Sequence, residues 1–207
     1  MYVRAPEALG VAWARGVRLE AVVESVDLFP TLTDLAGLPN PRQALGGESL
    51  RQLLLQPGTP AARLAPPRKK HYALSQWPRR PSCTVRHGCP DGAGNPYDPS
   101  PDQALMGYKL RTEGWAYICW FGFEWGAGGD PKGDATYPLW DEISARELYS
   151  HHDDPGTGES GERLEWENLA YEPEHQALIE GPGGLHAQLV AAVKLGLVKP
   201  ILAPGVD

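Results

Sequence analysis

The chain has 207 residues, 42% of them hydrophobic and 22% charged, which supplies the apolar material for one ordinary domain or slightly more. Its 24 glycines and 21 prolines exceed average usage without falling into a period, which excludes collagen-like repeats and a low-complexity chain and leaves long ordered loops. The formal charge of -7, from 19 basic and 26 acidic residues, excludes the broad cationic face that nucleic acid requires, and only 63–86 is locally basic.

No run approaches the ~18 apolar residues of a membrane span, so no membrane association is expected. Met1 to Pro6 shows no charged leader followed by an apolar run, so no secretory signal is expected there. Three cysteines are too few for a disulfide framework.

Residues 1–60 alternate like the end of an α/β unit. An extended segment over 17–23 leads into a stripe of Val22, Val26, Phe29, Leu32 and Leu35 at spacings of three and four, the pattern of an amphipathic helix. Pro30 confines the start of that helix, Ser25 or Asp27 caps it, and Gly37 and Pro39 stop it. A second short helix is expected over 48–56, between Gly46-Gly47 and Pro57-Gly58. The proline-rich stretch 56–70 reads as a linker, with a domain boundary near residue 60.

Beyond it, 71–77 is a candidate strand and 82–101 a turn-rich loop. The aromatic and β-branched density of 104–113 and 115–125, with Glu113-Gly114 between them, predicts a β-hairpin. A loop over 126–133 precedes a short last strand at 147–149. Leu185, Leu189, Val193 and Leu197, at intervals of four, mark a C-terminal helix closed by Pro200.

Several segments resemble the C-terminal portion of type I sulfatases. Val22-Val23-Glu24-Ser25-Val26-Asp27-Leu28-Phe29-Pro30-Thr31-Leu32-Thr33-Asp34-Leu35-Ala36-Gly37 is similar to the helix after the last core strand of their alkaline-phosphatase-like domain. Gly47-Glu48-Ser49-Leu50 resembles the G-x-S-L that follows. Glu147-Leu148-Tyr149, Asp154-Pro155 and Glu167-Asn168-Leu169-Ala170 resemble the terminal E-L-Y-D-x-x-x-D-P-x-E-x-x-N-L-A, stretched by an insertion around 156–163. Ala73 to Arg79 and Ala104 to Thr112, read with Trp120 to Phe123, are similar to the iduronate-2-sulfatase branch, where S-Q-Y-P-R and I-M-G-Y-x-I-R-T stand in that order.

The resemblance implies an α/β remnant of an alkaline-phosphatase-like domain over 1–60. An α+β C-terminal subdomain over 61–207 follows, an antiparallel sheet packed with a C-terminal helix. It implies sulfate-ester hydrolysis on a sulfated saccharide, calcium in the full-length enzyme, and a lysosomal or secretory setting. The family's nucleophile, a formylglycine made from the cysteine of C-x-P/A-x-R, has no counterpart around Cys83, Cys89 or Cys119, and the early D-D-x-R metal motif is absent. The chain therefore resembles roughly the last third of such an enzyme, with no catalytic or metal-binding residue of its own, and a separate N-terminal sulfatase chain is a candidate partner.

The substrate-proximal candidates are Arg79 and Arg80, whose guanidinium forks suit a carboxylate or sulfate, with Gln76 and Trp77 as an amide contact and a sugar-stacking face. The alternative is surface arginines on a proline-rich loop. Cys83 and Cys89 either close a small disulfide loop or stay as thiols. With His71 and His87 they do not match a standard zinc spacing. His151-His152-Asp153-Asp154 reads as a solvated turn, because adjacent side chains of extended chain point apart. Cys119 reads as a small buried hydrophobe, and the tryptophans of 115–166 as core and packing residues. A competing class is a non-catalytic module that binds sulfated or acidic glycans through Arg68, Lys69, Lys70, Arg79, Arg80 and Arg86.

Overall fold

The computed structural model describes residues 21–39, 41, 45–55, 71–79, 105–124, 137–152 and 165–197. The chain divides into two units between Ala73 and Leu74. The boundary expected near residue 60 and the strand expected to begin at 17 lie largely outside the described residues, as do the proline-rich linker and the 82–101 loop.

In the first unit a single 3-10 turn, Ser25–Asp27, runs into helix α1, Leu28–Leu35. Neither predicted cap bonds the first turn of α1 through its side chain; Asp27 instead accepts the Glu24 backbone N–H at 3.0 Å and the Glu48 backbone N–H at 2.9 Å. The helix ends where expected. Gly37 takes φ +66°, a conformation that costs glycine no Cβ clash, and the Leu38 N–H reaches back to the Thr33 carbonyl at 2.9 Å.

The buried face of α1 is not the one its apolar stripe predicts. Phe29 is 53% and Leu32 64% exposed, and Val26 and Leu28 are exposed too, whereas Asp27, Pro30 and Thr31 are buried. Residues 27, 31 and 34 also recur at helical spacing, and this polar stripe faces inward. Thr31 Oγ1 donates to the Asp27 carbonyl at 2.6 Å and accepts the Leu50 N–H at 2.9 Å. Ser49 Oγ donates to Asp34 Oδ2 at 2.6 Å, and Arg51 pairs with Asp34 Oδ1 at 3.2 Å. Residues 48–50, tied by these bonds, are not helical, so helix α2, Arg51–Leu55, starts later than the predicted 48. Leu50 and Leu53 form a small core with Ala21, Val23 and Leu54.

The second unit is built on a four-stranded antiparallel sheet in the order β1-β2-β3-β4: Ala73–Arg79, Leu105–Arg111, Trp115–Glu124 and Tyr137–Ser150. The predicted hairpin is β2–β3, paired from Leu105↔Gly122 to Arg111↔Ala116. Thr112 closes its turn, exchanging bonds with Trp115 across Glu113-Gly114. Gly107 lies under the Trp120 indole. An added Cβ there would stand 2.8 Å from the ring.

The last strand is much longer than the three residues predicted for it. β4 has 14 residues, and its pairing with β3 shifts around Phe121, so that Ala145 pairs with Trp120, Ile143 with Phe121 and Leu139 with Gly122. The extra residues break the period of two that reveals a strand in sequence. Pro78 and Pro138, which argue against strand, are tolerated because β1 and β4 are the edge strands.

One face of the sheet carries Tyr108, Leu110, Tyr117, Cys119, Phe121 and Leu148, all buried. It packs against helix α4, Leu185–Leu197, through the predicted Leu185, Leu189 and Val193. Before α4 lies the unpredicted helix α3, Gln176–Glu180, entered through a Pro173–His175 turn and too short to show a helical period. Its Ile179 is fully buried, and Gly184 lets the α3–α4 turn close over it, since a Cβ would meet the Ile179 carbonyl oxygen at 2.4 Å. The second unit is thus an antiparallel sheet covered by a C-terminal helix, the α+β subdomain expected from sequence.

Candidate functional site

Of the four substrate-proximal candidates, Gln76 and Trp77 lie on β1, both exposed, with Trp77 at 72%. Strand alternation sends these neighbours to opposite faces, so one ligand surface cannot use both side chains equally. Arg79 is the last residue of β1. Arg80, Cys83, His87 and Cys89 lie outside the described residues, as do Arg68, Lys69, Lys70 and Arg86.

His151 and His152 take different partners, as their adjacency predicts. His151 Nε2 meets Glu165 at 3.3 Å, whereas His152 packs edge-on against Trp115, whose ring also meets His175 at 5.4 Å. Lys109 completes an ion pair with Glu165. Burial works to raise the Glu165 pKa, but the bonds and charges of Lys109 and His151 outweigh it and hold the carboxyl below its ordinary value. Among the described residues no three His, Cys, Asp or Glu side chains converge where a metal ion would sit.

Asn168, within the segment that resembles the family's terminal motif, closes a clasp on the outer edge of β4. Its Oδ1 accepts the Leu148 and Ala170 N–H groups, each at 3.0 Å, and its Nδ2 donates to the Arg146 carbonyl at 3.0 Å. The Leu169 N–H donates to the Leu148 carbonyl at 2.9 Å, and the Arg146 N–H donates to Tyr171 Oη at 3.2 Å. On the sheet face opposite α4, the Glu147 carboxylate accepts from Trp120 Nε1 and from the Tyr149 hydroxyl, both at 2.7 Å. Burial, and then Glu147, raise the Tyr149 pKa.

Cys119 is fully buried, as expected, and burial pushes its thiol up to about 11, which leaves it protonated and unreactive at neutral pH. Around it lies a polar cluster that the sequence did not reveal. Tyr117 Oη and His186 Nδ1 are 3.0 Å apart, and Arg146 Nη1 pairs with Glu180 Oε1 at 2.6 Å. Four elements supply these residues, and the only local signal is a polar side chain at an otherwise apolar position, such as His186 beside Leu185. Trp166, by contrast with its expected packing role, is 79% exposed.

No family model matches the chain, and no curated protein matches it. Among solved structures it is similar to a "putative sulfatase" from Bacteroides thetaiotaomicron, at 21% identity and a TM-score of 0.36, over 83% of this chain and 23% of that one. The chain therefore spans less than a quarter of that neighbour's length. No helix among the described residues is long and apolar enough to cross a membrane.

Proposed function

We propose that this chain is the C-terminal portion of a sulfatase similar to the iduronate-2-sulfatases, and that it orients a sulfated sugar for hydrolysis by a separate part carrying the nucleophile. The observation that supports this reading is how the motif residues use one another. Asp27 and Asp34, in the first resembling segment, bond Glu48 and Ser49 of the second. Arg146 and Leu148, at the E-L-Y segment, are bonded by Asn168 of the N-L-A segment. A chance likeness of short strings gives no reason for such reciprocity.

In this reading the formylglycine supplies the attack on sulfur and calcium neutralises the sulfate oxygens, both from outside this chain. The described residues offer no ligand set for calcium. What this chain contributes is recognition: the exposed Trp77 indole as a stacking surface, and Arg79 or Arg80 as a fork for the sugar carboxylate.

The purified chain is expected to leave an aryl sulfate intact with or without calcium, and a sulfated uronate disaccharide to be hydrolysed once an N-terminal sulfatase chain bearing C-x-P/A-x-R is added. Turnover by the chain alone would overturn the reading. So would salt-sensitive retention on a sulfated glycan with no turnover even beside that partner, which is the behaviour of a binding module.

In the reconstituted enzyme, Arg79→Ala or Arg80→Ala is expected to lower kcat/KM by roughly tenfold to a hundredfold, the loss of one charge-assisted contact worth about 1.5–3 kcal/mol. Thermal stability should hardly move. Unchanged kinetics in both variants and in the double variant would remove the arginines from the site.

A further inference from the structure

The polar cluster under α4 has no part in the proposed chemistry, yet it is placed where it controls how α4 sits on the sheet. We propose that His186 is a pH-sensitive latch: its neutral ring holds the start of α4 on the sheet through Tyr117, and its protonation in mild acid loosens the helix.

The geometry disfavours an imidazolium at this place for three separate reasons. His186 is the second residue of α4, where the unpaired N–H groups of the first turn carry partial positive charge. Tyr117 and Phe121, with ring centroids at 6.1 Å and 6.0 Å, displace part of the water that would solvate a charged ring. Arg146 on β4 is a permanent cation in the same cluster, its Nε buried without a hydrogen-bond partner among the described residues.

The titratable and charged groups that act on His186 are Tyr117 on β3, Arg146 on β4 and Glu180 on α3, and Tyr108 on β2 and Cys119 on β3 share the same sheet face. Burial keeps the two tyrosines and the thiol neutral. Among the described residues Glu180 is the single carboxylate of the cluster, and Arg146 already engages it. Burial first, and then Arg146, lower the His186 pKa, while Glu180 opposes them.

The sign follows from linkage. Because the folded-state pKa lies below the ordinary histidine value, the unfolded or undocked state binds the proton more readily. The contribution of His186 is complete above about pH 6.5 and is lost as pH falls through the folded-state value. Neutral His186 shares one proton with Tyr117 in either tautomer, so the hydrogen bond at 3.0 Å requires no charge on the ring.

Amide hydrogen exchange over 185–197, corrected for intrinsic rates, tests the proposal on the full chain at pH 7.5 and 5.5. The wild-type chain should lose α4 protection on acidification, by a factor of up to about ten, the ceiling that one histidine with a reference pKa of ~6.5 allows, whereas His186→Gln should show the same protection at both pH values. Equal acid sensitivity in the two proteins would overturn the latch. Should the variant not fold, titration of the His186 ring by NMR in the wild-type chain decides the matter. A midpoint clearly below 6.5, with α4 amide shifts moving at that midpoint, supports the latch; a midpoint at or above 6.5, or α4 amides that do not follow it, overturns it.

Discussion

Gly47→Ala is expected to destabilise the first unit by about 3 kcal/mol or more, while Gly46→Ala, one residue away, leaves it unchanged. A Cβ on Gly47 would stand 2.0 Å from the Val26 carbonyl oxygen and 2.7 Å from the Asp27 nitrogen, whereas one on Gly46 meets nothing within 4 Å among the described residues. Overpacking in general costs about 1–3 kcal/mol, and here the obstacle is backbone, which cannot turn aside as a side chain can. Moving the chain away from Val26 also pulls the Glu48 N–H from Asp27 and the Leu50 N–H from Thr31, so two further bonds weaken with the same shift.

Hydrogen exchange reads the outcome region by region. Amides of α1 and of 48–54 should exchange faster in Gly47→Ala, and those of β2–β4 should keep their rates. Equal stability of the Gly46 and Gly47 variants would show that 45–50 does not pack against the start of α1 as described.

Asn168→Ala is expected to cost the second unit about 2–4 kcal/mol. The alanine leaves the Leu148 and Ala170 N–H groups and the Arg146 carbonyl without their side-chain partner, and each such bond contributes about 0.5–1.5 kcal/mol net. Asn168→Asp keeps an acceptor for the two N–H groups and loses only the donor to Arg146, so it should cost roughly 1 kcal/mol.

There is a second consequence. The clasp occupies the outer edge of β4, and an uncovered edge strand is a template for pairing with another chain. Urea denaturation should therefore rank wild type above Asn168→Asp above Asn168→Ala, and size-exclusion chromatography should show self-association in the alanine variant first. An alanine variant as stable as wild type would mean that water replaces the amide at no cost.

Neither the polar stripe of α1 nor the Asn168 clasp is visible residue by residue, although the letters that build both were legible as a resemblance. Asp27, Thr31 and Asp34 look like the solvated side of a helix, and Asn168 looks like a turn residue. Their roles appear only when segments 15 to 21 residues apart in the first unit, and 20 or 22 apart in the second, come together.

The sequence by itself determined what depends on neighbours along the chain. The β2–β3 hairpin follows from two aromatic and β-branched runs around Glu113-Gly114, the end of α1 from Gly37, and the buried stripe of α4 from Leu185, Leu189 and Val193. The tertiary structure decided which stripe of α1 is buried, because hydrogen bonds from the Glu48 and Leu50 backbones select the polar one. It also decided the length of β4, whose shifted register hides its period, and the meeting of Tyr117, Arg146, Glu180 and His186. The physical reason is the same in each case: apolar periodicity reports a face that one element can bury alone, whereas a buried polar group is satisfied only by a partner that another part of the chain supplies.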